Sequence, residues 1–171
     1  MERITRVSIV GMGALGVLYG DFFAMTLGLE QVTFLADRDR VERYRDTTVY
    51  CNGRGWKFAV CPGDEADPRG PAQLLIFAVK ATALEASVPM VRNQVGKDTV
   101  ILSVLNGITS EAVIGNILGM EHMLYCVAQG FPNMNRRKRQ CWRRSQSCLS
   151  GQDFPIPGSR ISCAGSGANG C

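Results

Sequence analysis

Arg6-Val7-Ser8-Ile9-Val10 runs straight into Gly11-Met12-Gly13-Ala14-Leu15-Gly16, and the reading of these residues decides the fold. A short β-branched run that stops at glycines reads as a buried strand entering a tight turn. Beyond the turn, Leu15, Leu18, Phe22 and Met25 recur at helical spacing from Ala14 to about Leu27, and Gly28 stands where a helix C-cap belongs. Gln31 to Ala36 then supplies a second strand, which ends at Asp37-Arg38. Strand, glycine turn, helix and strand within about thirty residues make one βαβ unit.

The alternation continues along the chain. Asp39 to Arg45 is charged enough for an exposed helical turn, and Thr48–Cys51 and Trp56–Cys61 flank Asn52-Gly53-Arg54-Gly55 as a hairpin-like excursion. A polar loop from Gly63 to Pro71 delivers Leu74-Leu75-Ile76-Phe77-Ala78-Val79, a continuous apolar run of the kind covered on both faces. Lys80 follows at its carboxyl end. A helix from about Thr82 to Asn93, a strand Thr99–Val104 ending at Leu105-Asn106-Gly107, a helix Ser110–Leu118 and a strand His122–Val127 complete the pattern. The expected fold is α/β: a doubly wound, mostly parallel sheet of Rossmann type, with helices on both faces.

Charge divides the 171 residues in two. Residues 1–135 carry 12 Lys/Arg against 14 Asp/Glu, and residues 136–171 carry 7 against 1, so the overall +4 belongs to the tail. The tail, opening at Arg136-Arg137-Lys138-Arg139, is poor in aliphatic residues and shows no period. We expect a dinucleotide-binding domain over 1–135 and a largely disordered basic tail over 136–171. Trp142 within the basic run offers a stacking partner for nucleic acid, but the stretch matches no recognised module, and a solvated tail is the favoured reading. Cys141, Cys148, Cys163 and Cys171 form no C-x-x-C pair, so zinc is not expected. No apolar run is long enough for a membrane helix and the N-terminus lacks a signal-peptide core, which leads us to expect a cytoplasmic protein with no membrane partner. Three thiols, Cys51, Cys61 and Cys126, scattered through core-like sequence suit a reducing compartment. His122 has no sequence neighbour that would make it catalytic and reads as structural.

G-x-G-x-x-G between a strand and a helix is a dinucleotide signature with a physical basis. Gly11 permits the turn, Gly13 lets backbone approach a pyrophosphate, Gly16 allows close helix packing, and the helix dipole favours the anion. Met12, Ala14 and Leu15 belong to the same loop; a glycine turn without a ligand is the alternative. Asp37, 21 positions beyond Gly16, stands where a carboxylate binds the ribose hydroxyls of NAD, while Arg38 and Arg40 stand where a guanidinium pairs with the 2′-phosphate of NADP. A solvated loop is the alternative for these three. Lys80 and Asn106 each end a parallel strand and so face the crevice where ligands of open α/β sheets bind. Lys80 suits phosphate, ribose or a substrate carboxylate, and Asn106 the nicotinamide ribose or the substrate; surface Lys and simple Asn-Gly turn are the alternatives.

Val7-Ser8-Ile9-Val10-Gly11-Met12-Gly13-Ala14-Leu15-Gly16, Ile76-Phe77-Ala78-Val79-Lys80 and Ser103-Val104-Leu105-Asn106-Gly107-Ile108-Thr109, in this order, resemble the ketopantoate reductase (2-dehydropantoate 2-reductase) family over roughly residues 6–130. The resemblance implies NADPH-dependent reduction of a small 2-keto acid to its 2-hydroxy acid, with Gly11, Gly13, Gly16, Lys80 and Asn106 in the cofactor cleft. In that family a basic residue commonly serves NADP at the end of the second strand, where this chain has Asp37 before Arg38. The family also continues into an all-helical domain that supplies the catalytic lysine. No such domain follows here, so no catalytic residue is assigned, and a truncated or frame-shifted product is expected. A reductase, a cofactor-binding remnant without turnover and a nucleic-acid binder acting through the tail remain the competing readings.

Overall fold

The computed structural model describes residues 3–106, 109–126, 132–135 and 140–143. Ten strands and four α-helices are formed among them. β1 (Val7–Val10), β2 (Val32–Ala36) and β6 (Leu74–Phe77) make the centre of a six-stranded sheet with order β5-β2-β1-β6-β7-β8, completed by β5 (Ala59–Pro62), β7 (Val100–Ser103) and β8 (Met123–Leu124). Every pairing in this sheet is parallel, with Ile9 level with Phe34 on one side and Ile76 on the other.

Burial on both faces is why the three central strands read as continuous apolar runs. Side chains alternate between two cores. Val7, Ile9, Val32, Phe34, Leu74 and Ile76 pack with Val17 and Ala24 of helix α1 (Ala14–Leu27). Val10, Leu35, Leu75, Phe77 and Ile101 pack with Leu84 and Val88 of α3 (Ala81–Met90) and Ile114 and Leu118 of α4 (Ser110–Leu118). The period of two in the strands therefore distributes the helices to opposite faces, and the doubly wound arrangement follows. No helix among the described residues is long and apolar enough to cross a membrane.

The hairpin excursion is present, with a different division. β3 (Val49–Cys51) and β4 (Arg54–Trp56) pair antiparallel across Asn52-Gly53, both at positive φ (49° and 81°) as a tight two-residue turn requires. Trp56–Cys61, expected as one strand, is broken: Phe58 turns into the core against Phe34, ring centroids 4.9 Å apart, and the chain leaves the hairpin to run as β5 beside β2. The helix expected to reach Asn93 ends at Met90, because Pro89 lacks a donor for the last turn; a 3-10 turn, Arg92–Gln94, follows. The last strand of the main sheet is Met123–Leu124, shorter than expected, and Val127 lies outside the described residues.

β9 (Pro132–Asn135) ends at the boundary expected for the domain, and β10 (Gln140–Arg143) lies beyond it. β10 pairs parallel with β3 and antiparallel with β9, giving a second sheet of order β4-β3-β10-β9. Those four residues thus form a strand within the basic tail; pairing with a distant strand leaves no mark on local composition. Residues 136–139 and 144–171 lie outside the described part, and with them most of the basic run.

Candidate functional site

The chain crosses from one side of the sheet to the other at β1: β2 lies to one side of it and β6 to the other. At such a switch point the loops leaving neighbouring strands diverge and open a crevice at their carboxyl ends. A cleft of about 380 Å³ occupies this position, lined by Val10 to Gly13 after β1, Ala36 and Arg40 after β2, Ala78 to Lys80 after β6, and Thr82 on α3.

The glycine loop is built as its spacing implies. Gly11 has φ +101°, and a Cβ there would stand 2.8 Å from the carbonyl oxygen of Ala78. Gly16 has no room at all: its Cβ would lie 2.0 Å from the Gly11 carbonyl oxygen. Gly13 differs, since the nearest atom to a Cβ would be Ala78 O at 3.9 Å. The first and third glycines serve the protein's own packing, and the second keeps a surface open toward the cleft.

Two helices begin at this cleft. Gly13 is the N-cap of α1 and Lys80 that of α3; neither cap makes a side-chain hydrogen bond, and neither first turn holds an acidic residue. Both dipoles therefore present their positive ends without carboxylate compensation, and exposed Lys80 adds a full charge. The arrangement suits an anion such as a pyrophosphate.

The corner after β2 is more divided. Asp37 caps α2 (Arg38–Tyr44), accepting from Arg40 N–H at 2.9 Å and pairing with the Arg40 guanidinium at 3.0 Å. Arg40 and Tyr44 line the cleft, four residues apart on one helix face. Arg38 turns elsewhere, 3.2 Å from Asp64 and 2.9 Å from Glu65. Those carboxylates raise its already high pKa, the Asp64 hydrogen bond contributing most.

Of the residues singled out from the sequence, Gly11, Met12, Gly13 and Lys80 come together as cleft lining. Ala14, Leu15 and Gly16 support the loop from the start of α1. Asp37 and Arg38 border the corner without lining the cleft; Arg40, rather than Arg38, is the guanidinium that does so, because the first turn of α2 sends the two in different directions. Asn106 is exposed on the connection after β7, at the same edge of the sheet but outside the cleft lining. Gly107 and Ile108 lie outside the described residues.

Sequence reasoning passed over Tyr44 and Thr82, although the helical spacing from Arg40 and the proximity to Lys80 point to them. It also missed a buried polar chain: Ser103 Oγ donates to Ser110 Oγ, and Ser110 Oγ to Glu111 Oε2, each at 2.8 Å. Ser103 ends β7 and Ser110 opens α4, so this chain ties together both ends of the connection that carries Asn106. Behind it, burial pushes the Cys126 thiol up, and the charge of Glu111 adds to the shift.

Several solved structures share this fold. D-mandelate dehydrogenase, solved with NADH and anilino(oxo)acetate, matches at TM-score 0.68 and 21% identity over 82% of this chain and 46% of that one. 2-Dehydropantoate 2-reductase from Geobacter metallireducens matches at 0.63 and 25% identity, over 81% and 46%. The enzyme of the same name from Methylococcus capsulatus matches at 0.64 and 18%, over 82% and 46%. The chain thus spans about half the length of the solved structures it matches. Likeness at these identities establishes the fold; membership rests on the family model for ketopantoate reductase PanE/ApbA, which matches residues 7–140, and the chain belongs to that family.

Proposed function

We propose that the cleft binds a nicotinamide dinucleotide for the reduction of a small 2-keto acid, 2-dehydropantoate being the substrate that family membership favours. The observation that carries this reading is the meeting, at one cleft lined by Gly13 and Lys80, of two helix N-termini that lack side-chain caps. The residues fit the group: among the described residues the nearest atom to a Cβ at Gly13 would be 3.9 Å away, so the backbone there is open to a pyrophosphate that a larger side chain would obstruct. In this reading Gly11 to Gly16 and Lys80 hold the pyrophosphate, and Asp37, Arg38 and Arg40 surround the adenosine ribose. Asn106 serves the nicotinamide ribose or the substrate. The bound nicotinamide supplies the hydride; the chain's own residues bind and orient it.

NADPH is the cofactor favoured by family, and NADH the one favoured by Asp37 as an acceptor for ribose hydroxyls. Fluorescence titration of the purified chain with NADPH and NADH in parallel tests the reading, with Gly13→Val as control. Saturable binding that the control abolishes supports it; no binding of either cofactor overturns it. Oxidation of NADPH on addition of 2-dehydropantoate then separates a reductase from a chain that binds cofactor without turnover.

A further inference from the structure

Asp64 and Glu65 follow β5, outside the cleft lining, and both reach the Arg38 guanidinium: Nη2 lies 3.2 Å from Asp64 Oδ2 and 2.9 Å from Glu65 Oε1. The turn that carries them is held from behind. Asn93 Nδ2 donates to the Asp64 carbonyl at 2.8 Å, and the buried Gln94 donates through Nε2 to the Glu65 carbonyl. Gly63 N–H donates to Ala36 O at 3.0 Å, which fastens the turn to the end of β2, one residue before Asp37. Two carboxylates are thereby fixed beside the place where sheets of this topology read the adenosine ribose.

Resting on the dinucleotide reading above, we propose that the Asp64–Glu65 turn is a specificity-determining element: it withholds the Arg38 guanidinium from a 2′-phosphate and so lowers the preference of the cleft for NADPH relative to NADH. A 2′-phosphate carries close to two negative charges and needs a guanidinium free to pair with it. Here Arg38 is shared between Asp64 and Glu65, and Arg40 is tied to Asp37, so three carboxylates face two guanidiniums. Ribose hydroxyls make no such demand. The Arg38 side chain is 66% exposed and each of its acidic partners 54%, so water screens the pairs and the effect is a bias rather than a block.

The test is a titration of the full chain with NADPH and with NADH, comparing the unaltered protein, an Asp64→Asn/Glu65→Gln double variant, Arg38→Ala, and the triple variant. The ratio of the two affinities is the readout, because a defect in folding weakens both cofactors alike. The double variant is expected to move the ratio toward NADPH by about threefold to tenfold, the scale of two exposed ion pairs. Adding Arg38→Ala should cancel that shift, and Arg38→Ala alone should move the ratio by less than about twofold. A ratio that stays put in the double variant overturns the inference. So does a shift that survives Arg38→Ala, or a selective loss of NADPH in Arg38→Ala alone, which would mean that Arg38 already serves the phosphate. Failure of the unaltered chain to bind either cofactor overturns the dinucleotide reading and this one with it; binding with an unmoved ratio overturns this one alone.

Discussion

The carboxylate of Asp21 on α1 is gripped from both sides by Arg54 of β4: Oδ1 accepts from Nε at 2.8 Å and Oδ2 from Nη2 at 2.7 Å. Trp56 Nε1 donates to the same Oδ1 at 2.8 Å. A hairpin outside the main sheet is thus bound by charge-assisted hydrogen bonds to the helix whose N-terminus faces the cleft. The Asp21 side chain is 5% exposed and that of Arg54 44%, so the acid is desolvated while its partner keeps contact with water.

Asp21→Ala removes an acceptor shared by the Arg54 guanidinium, the Trp56 N–H and the Asn52 side chain, and leaves these donors to find water. We expect a loss of about 2–3 kcal/mol, below the cost of breaking a fully buried pair because Arg54 is half exposed. Urea unfolding followed by circular dichroism reads this as a lower midpoint at an unchanged slope.

Acid should weaken the same contact. Burial by itself would push the Asp21 carboxyl up, but the hydrogen bonds from Arg54 and Trp56 and the Arg54 charge outweigh it and hold the group below its ordinary range. A carboxyl lowered in the folded state stabilises fully above its unfolded value of about 4, and that stabilisation is lost as pH falls through the lower folded value. Asp67, lowered first of all by the hydrogen bond from Arg69, acts with the same sign. Stability should therefore decline between about pH 5 and pH 2, and decline less in Asp21→Asn, when unfolding midpoints are measured across that range.

The elements that could be read from the chain are those whose pattern is local. Val7–Val10 and Leu74–Phe77 announce themselves because both faces are buried, and Ser110–Leu118 because Ile114 and Leu118 repeat at helical spacing. What escaped depends on distant partners. Nothing within Trp56–Cys61 says that Trp56 belongs with Val49 and Cys61 with Leu35; the break follows from Phe58 finding Phe34. β10 exists through pairing with β3, far away in sequence. The site divides the same way: the glycines and Lys80 were legible from loop and strand-end position, whereas the different fates of Arg38 and Arg40 depend on Asp64 and Glu65, a connection away.

Lys80 should contribute to both cofactors equally, since pyrophosphate is common to them. It caps α3 through its backbone, with no side-chain cap hydrogen bond, so Lys80→Ala removes charge without unmaking the helix. About tenfold weaker binding of NADPH and NADH alike is expected, on the scale of one charge-assisted hydrogen bond, with a shallower dependence on salt. Titrations at low and high ionic strength check both; a loss confined to one cofactor would place Lys80 at the adenosine ribose instead.

Gly16 and Gly13 should fail in opposite ways, and the contrast separates fold from ligand. A methyl group at Gly16 would have to stand 2.0 Å from the Gly11 carbonyl, backbone against backbone, so Gly16→Ala must push α1 away from the loop and lower stability by several kcal/mol. At Gly13 the backbone is extended, φ −86° and ψ −170°, a conformation open to any residue, and the nearest atom to a Cβ is 3.9 Å away. Gly13→Val should cost the fold only about 1 kcal/mol, the difference between a good and a poor helix N-cap. What it fills is the open face of the cleft. Unfolding curves and cofactor titrations on the two variants then form a crossed pair: Gly16→Ala loses stability and binding together, and Gly13→Val keeps a cooperative transition and loses binding alone. If Gly13→Val still bound either dinucleotide at wild-type affinity, the pyrophosphate could not lie against this loop, and the anion-binding role of the α1 N-terminus would have to be abandoned.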